Sequence, residues 1–113
     1  MKSRSRKNKG VRFQNQIAEM IRRIFKFKSG DVKPAIMGEK GVDIHLSSYA
    51  QTKCPLLIEC KNQEKLNIWK AIEQAQNQKG NGKWTVFFKR NHSGTYVVLD
   101  AEWFLEVLNE VTK

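Results

Sequence analysis

Acidic residues are scarce in this chain: 11 Asp and Glu stand against 21 Lys and Arg, a formal charge of +10. None falls in the first ten residues, where Lys2, Arg4, Arg6, Lys7 and Lys9 crowd together. Such a block repels itself and is expected to be a flexible basic tail over residues 1–10 until it meets phosphate. With a sequence pI near 9.9, the imbalance implies an anionic partner, and nucleic acid is the best fit. Further basics recur in the body at Arg12, Arg22, Arg23, Lys26, Lys28, Lys89 and Arg90. Long apolar runs are missing too: none reaches the roughly 18 residues of a membrane span. The basic N-terminus has no apolar stretch behind it, so a secretory signal is not expected. The only two cysteines, Cys54 and Cys60, cannot build a disulfide framework, and without matching Cys or His pairs they make no zinc site. Reduced packing thiols and a cytoplasmic location are the expectation. No internal repeat occurs, and 113 residues leave room for one domain, expected over residues 11–113.

What is present is a clear alternation of patterns. Phe13, Ile17, Met20, Ile21, Ile24 and Phe25 fall at helical spacing, predicting a helix from about Val11 to Phe27. Val32 to Met37 reads as an edge strand because Pro34 interrupts it, and Gly38 to Gly41 as a turn. Val42, Ile44 and Leu46 then alternate with Asp43, His45 and Ser47. After a polar loop over Ser48 to Lys53, Leu56, Ile58 and Cys60 alternate with Leu57, Glu59 and Lys61. A helix over Leu66 to Lys79 follows, its buried side expected from Leu66, Trp69, Ile72 and Ala75, and Gly80-Asn81-Gly82 ends it. Trp84 to Lys89 and Thr95 to Leu99 read as a hairpin. Ala101 to Val111 reads as an amphipathic helix with Phe104, Val107, Leu108 and Val111 on one side. Trp69, Trp84 and Trp103 could stack on bases, but each fits the apolar side of its element, and core packing is the expectation.

Two neighbouring strands that share an apolar core face bring Asp43, Glu59 and Lys61 onto one polar face. Those are the parts that phosphodiester hydrolysis calls for. Two carboxylates can hold a hard divalent cation such as Mg²⁺, with Mn²⁺ expected to substitute. The metal polarises a phosphoryl oxygen and acidifies a bound water, while an ammonium beside it offsets developing charge. The backbone carbonyl of Cys60, between Glu59 and Lys61, is a further candidate ligand. His45 is read as a solvated or substrate-rim histidine, and His92 as a turn residue.

Gly38-x-x-Gly41-x-Asp43-Ile44, followed by Leu57-Ile58-Glu59-Cys60-Lys61, resembles the PD-(D/E)xK nuclease superfamily. The stretch from Glu59 through Leu66-Asn67-Ile68-Trp69 and Glu73-Gln74-Ala75 is similar to small phage-encoded and archaeal-type Holliday junction resolvases. Val42 stands where the superfamily's name has proline. The resemblance implies an α/β, restriction-endonuclease-like fold with an αβββαβ core, a mixed central sheet flanked by helices, and an added C-terminal helix. It implies that Glu19 in the first helix reaches the metal site and that Gln74 points into it, although Gln76 and Gln78 compete for that role. The expected function is a divalent-metal-dependent endodeoxyribonuclease acting on branched DNA, held as a homodimer whose seam lies near the last helix or the preceding hairpin. A nuclease of flaps, nicks or single strands, and a non-catalytic DNA-binding module of the same fold, are the alternatives. The residues expected to hold DNA are Lys2, Arg4, Arg6, Lys7, Lys9, Arg12, Arg22 and Arg23.

Overall fold

The computed structural model describes residues 2–36 and 38–113, with side chains from Ser5 onward. Met37, at the end of the expected edge strand, lies outside the described residues, as do the side chains of Lys2 and Arg4. The chain runs as helix α1 (Lys2–Phe25), a 3-10 turn (Ser29–Asp31), strands β1 (Val32–Pro34) and β2 (Ile44–Leu46), helix α2 (Ser48–Lys53), strand β3 (Leu56–Asn62), helix α3 (Ile68–Gln76), strands β4 (Lys83–Lys89) and β5 (Tyr96–Val98), and helix α4 (Ala101–Val111).

The strands form one mixed sheet in the order β1-β2-β3-β4-β5. Among the described residues only β3 and β4 are parallel, joined by α3 as a crossover helix; the other neighbours are antiparallel. Alternation along β3 divides the apolar residues between two layers. Ile58 packs with Phe13, Ile17 and Ile21 of α1, with Val32, Ile44 and with Ala50 of α2. On the other face, Val86 of β4 packs with Ala71 and Ala75 of α3, with Trp84 and Phe88 alongside. The result is an α/β architecture with a five-stranded sheet between helices.

Four expectations need correction. Helix α1 begins at Lys2, not near Val11, so residues 2–10 are a helical extension instead of a coil. Lys, Arg, Asn and Ser are tolerable helix residues and only Gly10 weakens the run, while Lys9 is held at 3.6 Å from the Glu64 carboxylate. At the other end Lys26 closes α1 in the left-handed region, at φ 59°. Phe27 is thereby turned into the core while Ile24 and Phe25 are left exposed. The polar stretch expected as a loop is helix α2, started by Ser47, whose hydroxyl accepts from the Ala50 N–H at 3.0 Å. Helix α3 meets the sheet through Ala71 and Ala75, and Trp69 is 77% exposed. Trp69 and Ala71 are two positions apart, about 200° around a helix, and small residues facing the sheet let α3 lie close to it. Helix α4, capped by Asp100 on the Trp103 N–H, buries no residue.

Candidate active site

Asp43 stands just before β2, on backbone held from both sides. Its N–H donates to the Ile58 carbonyl and its carbonyl accepts from Ala35, both at 2.8 Å. Gly41, at φ +104°, turns the chain into this position, a conformation that side chains rarely adopt. The Asp43 carboxylate then reaches across to β3 and accepts the Cys60 N–H at 2.7 Å. Glu59, one residue earlier on β3, is 1% exposed. Its carboxylate accepts from the Gln78 side chain at 2.5 Å and lies within hydrogen-bond reach of Asp43. Lys61, two residues on and therefore on the same face, donates its ammonium to the Gln74 Oε1 at 2.8 Å. Gln74 lies in the last turns of α3 and Gln78 just past its end, where the Gln78 N–H donates to the Ala75 carbonyl at 3.2 Å. Of the three candidate glutamines, Gln74 and Gln78 touch the site, one on Lys61 and one on Glu59, while Gln76 is exposed.

Asp43, Glu59, Cys60, Lys61 and Gln74 floor a cleft of about 690 Å³, whose other wall is the basic half of α1. Arg6, Lys9, Gly10 and Gln14 line that wall, and Asn62 to Lys65 continue the floor beyond β3. Glu64 ties the two walls near the mouth: its carboxylate meets Lys9 at 3.6 Å and accepts the Asn91 N–H of the hairpin turn at 2.6 Å.

Glu19 does not join this group. It is exposed and bonded to the Arg22 guanidinium at 2.7 Å. Gln14 occupies the place on α1 that the resemblance gave to Glu19. The two are five residues apart, about 140° around the helix and 7.5 Å along it, so only one can face the cleft. Arg22 is engaged inside the fold, donating also to the Val32 carbonyl at 3.2 Å; Lys7, Arg12 and Arg23 are exposed. His45 lies 3.2 Å from the Glu39 carboxylate and does not line the cleft.

Electrostatics single out the two acids. Burial raises the Asp43 carboxyl above its ordinary value, partly offset by the Cys60 N–H and the Lys61 charge. Burial first, and the Asp43 charge second, push Glu59 up to about 7. Burial likewise raises both thiols, Cys54 to about 11 and Cys60 further, which keeps them protonated and unreactive. Two carboxylates in contact in so dry a place need either a shared proton or a cation between them. Among the described residues no three His, Cys, Asp or Glu side chains gather as a metal cage. The Asp43–Glu59 pair suits an ion that takes one or two carboxylates and completes its shell with water and substrate phosphate, as Mg²⁺ does.

A stability consequence follows for metal-free protein. Glu59 holds its proton more tightly folded than unfolded, so its contribution is full below about pH 4.5 and is lost as pH rises through about 7. Over that window the loss is on the order of 3 kcal/mol, at about 1.4 kcal/mol per pH unit. In EDTA the melting temperature of wild-type protein should therefore fall between pH 5 and pH 8 more than that of Glu59→Gln, which keeps the Gln78 contact without the charge. Thermal melts across that range check it, and parallel profiles for the two proteins would contradict it.

The chain matches no protein-family model, no curated protein and no solved structure.

Proposed function

We propose that this chain is a divalent-metal-dependent endodeoxyribonuclease of the PD-(D/E)xK kind, with Asp43, Glu59 and Lys61 at its centre. The observation that carries the reading is the contact of two carboxylates, beside a lysine ammonium, at the floor of a cleft walled by a basic helix. A surface made only to bind DNA gains nothing from two acids facing the phosphates. Acids there repel the ligand unless a cation lies between.

Asp43 and Glu59 hold the Mg²⁺, with the Cys60 carbonyl as a further candidate. The bound ion supplies Lewis-acid stabilisation of the phosphoryl oxygens and a more acidic water. The Cys60 N–H fixes the orientation of the Asp43 carboxylate, and the Gln78 amide does the same for Glu59. Lys61, aimed by Gln74, places a positive charge where negative charge grows on the phosphorus centre. Arg6 and Lys9 on the opposite wall hold the strand by its backbone phosphates, which positions it without reading sequence.

The basic wall of the cleft offers contacts to backbone and shape rather than to base edges, and branched DNA is the proposed substrate. Symmetrical cutting of a four-way junction needs two sites on one two-fold axis. Helix α4 supplies the surface for a second copy: Phe104, Leu105, Val107, Leu108 and Val111 are each between 41% and 73% exposed. None of them lines the cleft. The test is a comparison of linear duplex, single strand, flap and four-way junction in Mg²⁺, with sedimentation of the same protein. Paired nicks in the junction by a dimer are expected. Equal cutting of every substrate by a monomer would remove the junction reading, and cutting of none would remove the nuclease.

A further inference from the structure

Beyond the cleft, past Gln63 and Glu64, lies a second hollow of about 360 Å³ between the loop leaving β3 and the β4–β5 hairpin. Gln63 and Glu64 line both cavities, so the two adjoin along one ridge. Phe88 and Tyr96 form its aromatic side, with ring centroids 6.0 Å apart and planes at 44°; Lys89 and Arg90 line it too.

The sheet register connects this hollow to the proposed chemistry. Lys61 pairs with Phe88 across β3 and β4, and Phe88 pairs with Tyr96 across β4 and β5. The three side chains thus form one row on one face, and Tyr96 stands two strand spacings from Lys61, about 10 Å. Tyr96 is 58% exposed, more than a residue placed only for cross-strand packing needs to be. Its ring is nevertheless held in place. A side chain at Gly94 would meet the Tyr96 hydroxyl at 2.8 Å, so the bare glycine lets the ring lie against the turn. The turn itself is fastened by Ser93, whose hydroxyl accepts the Arg90 N–H at 3.0 Å, and by the Asn91 N–H on Glu64. A fixed, exposed aromatic beside two cations is how proteins hold an unstacked base together with its backbone.

We infer that this hollow is a nucleobase subsite, in which Tyr96 stacks on an unpaired base, with Phe88 backing the Tyr96 ring, next to the phosphate at Lys61 while Arg90 meets the adjoining phosphate. The ligand class rests on the nuclease reading; the subsite gives that enzyme a reason to prefer strands with an unpaired nucleotide beside the cut. Because every base has a π-face, the preference is for unpaired structure and not for sequence.

Binding without cleavage tests it. A short single-stranded oligonucleotide carrying 2-aminopurine, whose fluorescence falls when its ring is stacked, is titrated with full-length protein in EDTA. Wild type and Tyr96→Phe should quench it, and Tyr96→Ala should lose the quenching and bind on the order of 10-fold more weakly. Arg90→Gln should keep the quenching and make the slope of log affinity against log salt shallower by about 0.7 unit, the single-strand value for one phosphate contact. Wild-type quenching and affinity in Tyr96→Ala, or no quenching by wild type, overturns the subsite. Cleavage of the same strand in Mg²⁺ is read separately. Tyr96-dependent quenching without cleavage keeps the subsite and removes the nuclease; cleavage with Tyr96-independent binding does the reverse.

Discussion

Asp43→Asn should slow DNA cleavage by on the order of 10³-fold or more and leave the fold intact. A metal supplies several kcal/mol of charge stabilisation, and each ~1.4 kcal/mol is a factor of ten in rate. The asparagine oxygen can still accept the Cys60 N–H now bonded at 2.7 Å, so the packing between β2 and β3 survives while the charge is lost. Asp43→Ala is the harsher change, because it leaves that backbone N–H without its partner, at a cost of about 1–3 kcal/mol in stability. Affinity for DNA in EDTA should hold or tighten in Asp43→Asn, since a negative charge has left a basic cleft. Single-turnover cleavage together with anisotropy separates the two effects. Near-wild-type turnover in Asp43→Asn would remove the carboxylate from the chemistry.

Lys61→Ala should lower the single-turnover rate by on the order of 10²-fold or more, the usual effect of losing one preorganised electrostatic group, with little change in Kd. The ammonium is positioned for that task, held at 2.8 Å by Gln74 beside both acids, and not on the outer wall where phosphate anchors sit. Gln74→Ala should fall in the same direction by a smaller factor, because it frees the ammonium without removing it. If Lys61→Ala instead weakens binding and leaves the rate at saturating protein unchanged, Lys61 is a phosphate anchor and the charge balance of the site must be redrawn.

That Asp43, Glu59 and Lys61 share one face could be read from the sequence because strand alternation is a local rule. A period of two decides which residues share a face before anything is known of the partner strand. The ambiguity among Gln74, Gln76 and Gln78 had a physical origin as well. Gln74 lies within α3 and Gln78 just past its end, yet both reach β3, one to Lys61 and one to Glu59; helical periodicity does not place a side chain beyond the last turn. Glu19 failed for a different reason. The apolar stripe of α1 fixes which side faces the sheet, but not where along its length the helix crosses the strand ends, and that crossing selects Gln14. A periodicity read from large apolar residues also misplaced Trp69, since α3 is seated by Ala71 and Ala75, whose small side chains carry little weight in such a pattern. The expected disorder of the basic block set charge repulsion above helix propensity, and the Lys9–Glu64 pairing depends on a neighbour 55 positions away that no local window contains.

The central claim is that DNA is cut by metal chemistry at the Asp43–Glu59 pair. It is tested most directly by incubating an end-labelled four-way junction with wild-type protein and with Asp43→Asn, each in Mg²⁺ and in EDTA. The account predicts discrete nicked products from wild type in Mg²⁺ alone, lost in EDTA, restored when Mg²⁺ is returned, and missing from Asp43→Asn under every condition. An intact junction in all four reactions, with the protein still bound to it, would contradict the account and leave a DNA-binding module in its place.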